Sequence, residues 1–532
     1  MPLVYKIATT EAEFEAIHRL NYRTFVEEIP QHPPNPQRRL VDRFHDENTY
    51  AVALDSDELV GMIAGRARRP FSLDGKLADL DAHLPQHQRA MEVRLLAVAP
   101  GWRKASVFAR LAGVLGREFR DQGCDLALIS GTTRELKLYA HLGFQPFGPR
   151  VGSGDAVYQP MWLRLPDYAE RVAHLELSAS DEAASFLPGP VPLSAAVRAA
   201  WRAEPVSHRS AEHLRRVERV CDRLQAMTGC AGALLLPGGG TLANDAVAGQ
   251  IHQRGKHGSK NGNGGLVITN GEFGERLADH ARRWQLPHRT MSLAWGEAID
   301  AQRLRAVLAE QRPAWVWATA CETSTGMRND TALLRDACAE VGAALCLDAV
   351  SALGLQPLDL RGVWLASGVS GKALGSYAGL ALVLHDGQLM PGGELPAALD
   401  LGAIARAHGV PSTQSSNAVA ALEAALAIDW PAHWQATHAA DVQLREALRA
   451  LSLPALVPAP HAQPGVITLA LPRGVDSQRL GQRLARVGCR IAWQSAYLRE
   501  RNWVQVCLMG AWRPAALEVL PALLRRYAGA MH

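Results

Sequence analysis

The chain reads as an α/β protein in two parts: an N-terminal α+β domain, then a larger domain with a mainly parallel sheet and a small C-terminal α+β lobe. Three observations predict this. At 532 residues the chain is longer than one hydrophobic core serves. From about Ser185 onward, apolar runs alternate with amphipathic stretches of roughly 10 to 15 residues, the pattern of parallel strands covered by helices on both faces. Before that point strands and helices mix, with a hairpin signal. The boundaries read as 1–167 for the first domain, 168–184 for a linker, 185–415 for the large part of the second domain and 416–532 for its small lobe.

Composition narrows the classes. The formal net charge is +4 and no block of like charge stands out, which argues against a nucleic-acid partner. No apolar run reaches membrane-spanning length, so no membrane partner is expected. The N-terminus, MPLVYKIATTEAEFEAIHRL, is charged and amphipathic and does not read as a signal peptide. The eight cysteines (124, 221, 230, 321, 338, 346, 489 and 507) form no CxxC pair, and most sit in apolar runs. They read as reduced core thiols of a cytoplasmic protein, with no metal site.

In the first domain, YAVALDSDELVGMIAGRA reads as a hairpin turning at DSDE. MEVRLLAVAP is a strand, and GWRKASVFARLAGVLGREFRDQG is a helix with apolar residues at helical spacing. CDLALIS is the next strand, and LKLYAHLGFQPFG a short helix ending at Gly143 before another strand. Strand, basic loop, helix, strand and then YxxLGF resembles the GCN5-related (GNAT) acyltransferase fold. The resemblance implies that the loop over Val98, Arg103, Lys104, Ser106 and Val107 offers N–H groups and a helix start to an acyl donor. Two positions where the family has glycine hold Ser106 and Phe108. This looser loop is similar to the N-acyl amino acid synthase and autoinducer synthase branch, which takes acyl chains from a carrier protein. Both acyl-CoA and acyl carrier protein stay open as donors. Tyr139 falls at the family's general-acid position, and Glu92 is placed to deprotonate an incoming amine. The alternatives are that Tyr139 is a packing residue, that Glu92 is an ion-pair partner, and that the whole domain only binds an acyl group or a partner. Glu27, Glu28 and Phe44 to Tyr50 are candidates for the acceptor pocket.

The run PDYAERVAHLELSASDEAA changes character and, being poor in Gly, reads as a fairly stiff linker. FLPGPVPLS then opens the second domain with residues that cannot continue a helix. SHRS supplies His208 and Arg209. ALLLPGGGTLANDAVAGQI is a strand, three glycines, Thr241 and an immediate helix, where bare backbone suits a phosphate. KHGSKNGNGG reads as a polar loop. GLVITNGEFGER carries Phe273 in a turn, and WVWATACETSTG places Thr323 past a strand. ALCLDAVSALG ends a strand on Asp348, and SGKALGSYAGLALV holds Lys372 among small residues. An acid at a strand tip, a further strand and then a lysine in a Ser/Gly loop is what pyridoxal phosphate chemistry needs: an amine to bond the cofactor aldehyde and an acid to keep the ring nitrogen protonated. Taken singly, the lysine reads as a surface residue, the acid, Thr323 and Ser370 as helix caps, and Phe273 as core.

GGGTLAND, NGEFGER, CETSTG, LDAVSALG and SGKALGSYAGLALV, in this order, resemble the class V (fold type I) aminotransferases, with the 2-aminoethylphosphonate–pyruvate and alanine–glyoxylate enzymes as the nearest kinds. The resemblance implies that Lys372 bonds the cofactor and moves the proton, Asp348 faces the ring nitrogen, and Val350 and Phe273 cover the ring. It puts Gly239, Gly240, Thr241 and Ser370 around the phosphate and Thr323 at the ring hydroxyl. Thr413 resembles a residue given by a neighbouring subunit, which implies a homodimer. His208 and Arg209 fall near the substrate entrance. Where relatives carry an arginine that clamps the substrate's anion, WVQVCLMG has Gln505, which cannot form that fork. Arg499, Arg501 and Arg209 are candidates to take over. Gly371 stands where relatives carry Gln or Asn. The expected partners are a small amine and a 2-oxo acid or aldehyde. Cleavage or substitution chemistry on the same cofactor is the alternative; a non-catalytic scaffold fits poorly with both Lys372 and Asp348 present.

Overall fold

The structure, a computed structural model, describes residues 3–56, 58–103, 105–133, 136–152, 157–166, 168, 184–256 and 264–529. The chain forms two compact units, the first holding Met1–Ala183 with Arg486–Gly488 and Ala522–Gly529, the second the rest. The expected linker lies almost wholly outside the described residues, as does most of the KHGSKNGNGG loop.

In the first unit the described strands are β1 (Val4–Ile7), β2 (Thr49–Asp55), β3 (Glu58–Arg66), β4 (Ala90–Val98), β5 (Leu126–Thr132), β6 (Gln145–Pro146) and β7 (Tyr158–Arg164), in the sheet order β1-β2-β3-β4-β5-β7-β6. The expected hairpin is β2–β3. Helix Ala105–Asp121 buries Val107, Leu111, Leu115 and Phe119, one residue per turn, against the sheet. Gly65 lets that helix lie close: a Cβ there would come within 2.7 Å of the Met91 Cε and 2.8 Å of the Phe119 ring. β4 and β5 run parallel and pair only at Ala90–Glu92 with Leu126–Leu128. Glu92 and Leu128 are the last residues of β4 and β5 that pair with each other.

In the second unit the described strands are β8 (Ala184–Phe186), β9 (Gly232–Gly238), β10 (Gly265–Thr269), β11 (His288–Ser292), β12 (Trp315–Thr319), β13 (Cys321–Glu322), β14 (Met327–Arg328), β15 (Ala344–Asp348), β16 (Leu365–Val369), β17 (Gly379–His385), β18 (Val466–Ala470), β19 (Cys489–Ile491) and β20 (Trp503–Cys507). The main sheet runs β11-β10-β12-β15-β16-β17-β9, parallel except that β17 runs against both its neighbours. β12 and β16 are buried along their whole length, which is why their sequences are apolar without alternation. In the small lobe β18 pairs with β20, and β19 pairs with β8. The lobe therefore draws a strand from the start of the unit; three residues, ASF, are too few to show a period in the sequence. Helix Trp430–Ala450 starts where Asp429 caps it and Pro431 suits a first turn.

Among the described residues, no helix is long and apolar enough to cross a membrane, and no cluster of three His, Cys, Asp or Glu could hold a metal.

Candidate functional site

β15 ends on Asp348 and its parallel neighbour β16 leads into the turn that carries Lys372. Both therefore lie at carboxyl ends of adjacent strands, where α/β sheets bind ligands. Asp348 is 7% exposed. Its carboxylate accepts from Asn244 Nδ2 at 2.9 Å and from the Val350 N–H at 2.9 Å. Asn244 in turn accepts from Ser367 Oγ at 2.6 Å, which fixes which way its amide points. Burial pushes the Asp348 carboxyl above its usual range, against these donors and the nearby Lys372. Burial also pushes the Lys372 amine below its usual range, opposed by Cys507, Asp348 and Cys321. That leaves a larger share of neutral amine, the nucleophilic form.

The lysine turn is held by its own backbone. Gly375 N–H donates to the Lys372 carbonyl at 2.9 Å, and Ser376 N–H to the Ser370 carbonyl at 3.1 Å. Ser370 Oγ donates to the Tyr377 carbonyl at 2.6 Å and accepts from the Leu380 N–H at 3.2 Å. Gly371 is explained here: a Cβ would come within 2.7 Å of Ala378 Cα and 2.8 Å of its Cβ. The exposed Gly189 borders the lysine stem; a Cβ there would lie 3.9 Å from both Lys372 Cδ and Cε.

The glycine turn precedes helix Gly240–Lys256. A Cβ on Gly240 would sit 3.1 Å from both methyls of Val350, while Gly239 faces open space. Thr241 is exposed beside it. The first N–H groups of a helix have no helical acceptor, so this turn is a seat for an anion. Phe273 lies in the first turn of helix Glu272–Arg283, half-buried, with Tyr497 edge-on at 6.4 Å and the Arg276 guanidinium 5.0 Å from its centroid. These residues fit pyridoxal 5'-phosphate: a bare anion seat, a buried acid short of a cation, a low-pKa amine and an aromatic face.

Thr323 is buried. Gln505 is fully buried, and its amide is spent inside the chain. Nε2 donates to the carbonyls of Thr323 (2.5 Å) and Ser324 (3.0 Å) and to Thr468 Oγ1 (2.8 Å), while Oε1 accepts from Tyr497 Oη at 3.1 Å. Thr413 is exposed in the loop before helix Ser416–Ala425. His208 is half-buried, and Arg209 and Arg499 are exposed. Among the described residues, none of their hydrogen bonds or ion pairs reaches Lys372 or Asp348. Arg501 stacks 3.8 Å over Trp295 and 5.3 Å from the Trp503 centroid. Sequence reasoning passed over Asn244, Glu322 and Tyr497 as site residues. The Asn of TLAND and the Glu of CETSTG were visible in quoted motifs, but their partners lie far along the chain.

In the first unit, Glu92 is buried at the last paired position of β4. It accepts from the Ser72 N–H at 2.9 and 3.0 Å and from the Ser72 hydroxyl, and lies 3.6 Å from Arg94. Tyr139, on helix Leu136–Leu142, packs its ring over Gly131 of β5; a Cβ there would be 3.0 Å from the ring. Arg103 donates to the Val98 carbonyl at 2.9 Å and pairs with Glu28. Val107 is core, and Phe108 packs among the apolar residues beneath the helix rather than over the loop. Lys104 and the side chain of Ser106 lie outside the described residues.

The family model of the N-acyl amino acid synthase FeeM matches residues 16–163. The second unit is similar to a protein named soluble hydrogenase, small subunit, of Synechococcus sp., 29% identical over 318 residues covering 56% of this chain and 81% of that protein. It is also similar to the 2-aminoethylphosphonate–pyruvate transaminase of Pseudomonas putida, 32% identical over 176 residues covering 31% of this chain and 45% of that one. Among solved structures, the alanine–glyoxylate aminotransferase of Nostoc sp. is 26% identical, with a TM-score of 0.59, covering 65% of this chain and 96% of its own. The chain is an enzyme: an aminotransferase-type unit of fold type I follows an N-acyl amino acid synthase-type unit.

Proposed function

We propose, from the premise that an N-acyl amino acid synthase-type unit is joined to an aminotransferase-type unit, that the chain carries out two group transfers. The second unit moves an amino group from a small amino acid or aminophosphonate-like amine to a 2-oxo acid or aldehyde, with pyridoxal 5'-phosphate. The first unit moves an acyl group from CoA or an acyl carrier protein onto an amine. The amine made by one unit is the acceptor of the other, and the enzyme works as a cytoplasmic homodimer with Thr413 reaching the partner's site.

The observation that carries this reading is the meeting of Lys372 and Asp348 at neighbouring strand ends, with Asn244 and the Val350 N–H holding the acid. When bound, the cofactor supplies an electron sink for the carbon next to the amino group. The chain's own residues do the rest. Lys372 Nζ would hold the cofactor and would take and return the substrate proton, a task its lowered pKa suits. Burial raises the Asp348 carboxyl, and a protonated ring nitrogen facing it would favour its ionised form. Gly239, Gly240 and Thr241 would give N–H groups to the phosphate, and Val350 and Phe273 would cover the ring, with Thr323 near its hydroxyl. Ser370, expected at the phosphate, instead spends its hydroxyl on the Tyr377 carbonyl and the Leu380 N–H and so ties the lysine turn. In the first unit, Tyr139 protonates the leaving thiolate and Glu92 receives the amine proton, directly or through water; the loop and helix start over Val98, Arg103, Lys104, Ser106 and Val107 seat the donor.

Borohydride treatment of the purified protein, then peptide mass mapping, tests the lysine. The expected result is one cofactor adduct, on Lys372. A protein that stays colourless with added cofactor and shows no adduct overturns the reading. A second reading, cleavage or substitution on the same cofactor, is favoured by one observation: Gln505 offers no charge to a substrate anion. Product released without any 2-oxo acid or aldehyde would select it.

A further inference from the structure

We propose that Glu322 is a positioning residue, whose buried carboxylate fixes Phe273 where that ring covers the cofactor. The proposal rests on the cofactor reading above. Glu322 ends β13 and is fully buried. Its Oε2 accepts from the Gly274 N–H at 2.8 Å, and its Oε1 accepts from the Phe273 N–H at 3.3 Å. Oε1 also accepts from the Ser324 N–H at 3.1 Å and Ser324 Oγ at 2.5 Å. Ser324 Oγ meanwhile accepts from the Glu272 N–H at 3.2 Å. Three consecutive N–H groups at the start of helix Glu272–Arg283 thus end on one two-residue device, Glu322 and Ser324.

An ordinary cap would be local. Gly271, at the cap position, has no side chain to give, and a Cβ there would come within 2.5 Å of both Glu322 Cγ and Ser324 Oγ. Burying a carboxylate to cap a helix is expensive, and a Ser or Asp at 271 would cap with less desolvation. What the distant carboxylate adds is a tie between two elements that each border the cofactor: the Phe273 turn and the Thr323–Ser324 segment. That segment is pinned from its other side by Gln505, which bonds both carbonyls. The device therefore sets the height of Phe273 relative to Thr323. Tyr497, edge-on to Phe273 and bonded to Gln505, closes the same frame.

The test is a double-mutant cycle on full-length protein. Pyridoxal 5'-phosphate affinity is titrated by absorbance, and the circular dichroism band of the bound cofactor is recorded for wild type, Glu322→Gln, Phe273→Leu and the pair. Glu322→Gln is expected to weaken binding about tenfold, the scale of a lost hydrogen bond to a charged group, and to shrink the band. The pair is expected to match Phe273→Leu alone, because the carboxylate acts through the ring. Additive losses in the pair, or an unchanged band in Glu322→Gln, overturn the proposal. If Glu322→Gln does not fold, Ser324→Ala takes its place in the same cycle with the same two outcomes. Wild-type protein that binds no cofactor overturns the function itself, a result separate from either.

Discussion

Gln505 and Thr323 are joined by a 2.5 Å hydrogen bond from the glutamine amide to the threonine carbonyl, across 182 positions of sequence. With Ser324, Thr468 and Tyr497 as its other partners, Gln505 links the small lobe to the Thr323–Ser324 segment. Replacing it by arginine places a buried cation where the partners offer no carboxylate. Gln505→Arg is expected to lose about 3–5 kcal/mol of stability, the cost of an uncompensated buried charge. Gln505→Leu is expected to lose about 1–3 kcal/mol through unmet carbonyls and hydroxyls. Urea denaturation of both variants gives the order; an arginine variant as stable as wild type would show that the frame yields.

Asn244 is the residue that aims Asp348, donating at 2.9 Å while Ser367 orients its amide. Asn244→Ala leaves the carboxylate with one donor fewer. Cofactor retention is expected to fall about tenfold, on the scale of a charged hydrogen bond. Dialysis followed by measurement of remaining cofactor absorbance reads it out, and retention equal to wild type would remove Asn244 from the site.

How much of this was legible in the sequence depends on how local each signal is. Lys372 and Asp348 stood out because strand ends and small-residue turns are local features, and the order of apolar runs led to the sheet that brings them together. Asn244 sat in a quoted motif, yet its partner lies 104 positions away, and sequence period says nothing about such a pairing. Phe108 read as a departure from the family's glycine, and the structure packs it, partly buried, against the apolar clusters under the helix. Gly371 read as a departure; its cause is the Ala378 backbone, which only the folded turn brings near. Gly371→Ala should therefore displace the lysine turn.

Glu322 makes stability depend on pH. Burial raises its carboxyl from 4.5 to about 7, against the N–H and hydroxyl donors that favour the anion. Below 4.5 folded and unfolded chains both hold the proton, so the contribution is complete. Between 4.5 and about 7 the folded chain keeps a proton that the unfolded chain has released, so stability falls as pH rises. Above that range the loss levels off, at about 3 kcal/mol by linkage. Unfolding at pH 5 and pH 8, compared between wild type and Glu322→Gln, isolates the contribution. The variant is expected to lack that part of the decline, and an equal slope in both would contradict the assignment.

The first unit separates a packing role from a chemical one at Tyr139 and Glu92. Tyr139 packs its ring over Gly131 on β5, beyond the last β4–β5 pair at Glu92 and Leu128. Glu92 sits at the last paired position, engaged by Ser72 and close to Arg94. Tyr139→Phe keeps the ring and its packing, so the fold should stand while acyl transfer slows by about 10²–10⁴-fold, the usual worth of a general acid. Glu92→Gln removes a buried anion beside Arg94 and should lower the unfolding midpoint as well as the rate. Thermal unfolding and acyl-transfer rates on the same preparations decide between the roles: a Tyr139→Phe protein with wild-type rate would make the phenol a packing residue, and a Glu92→Gln protein with wild-type stability but a lost rate would make the carboxylate a base.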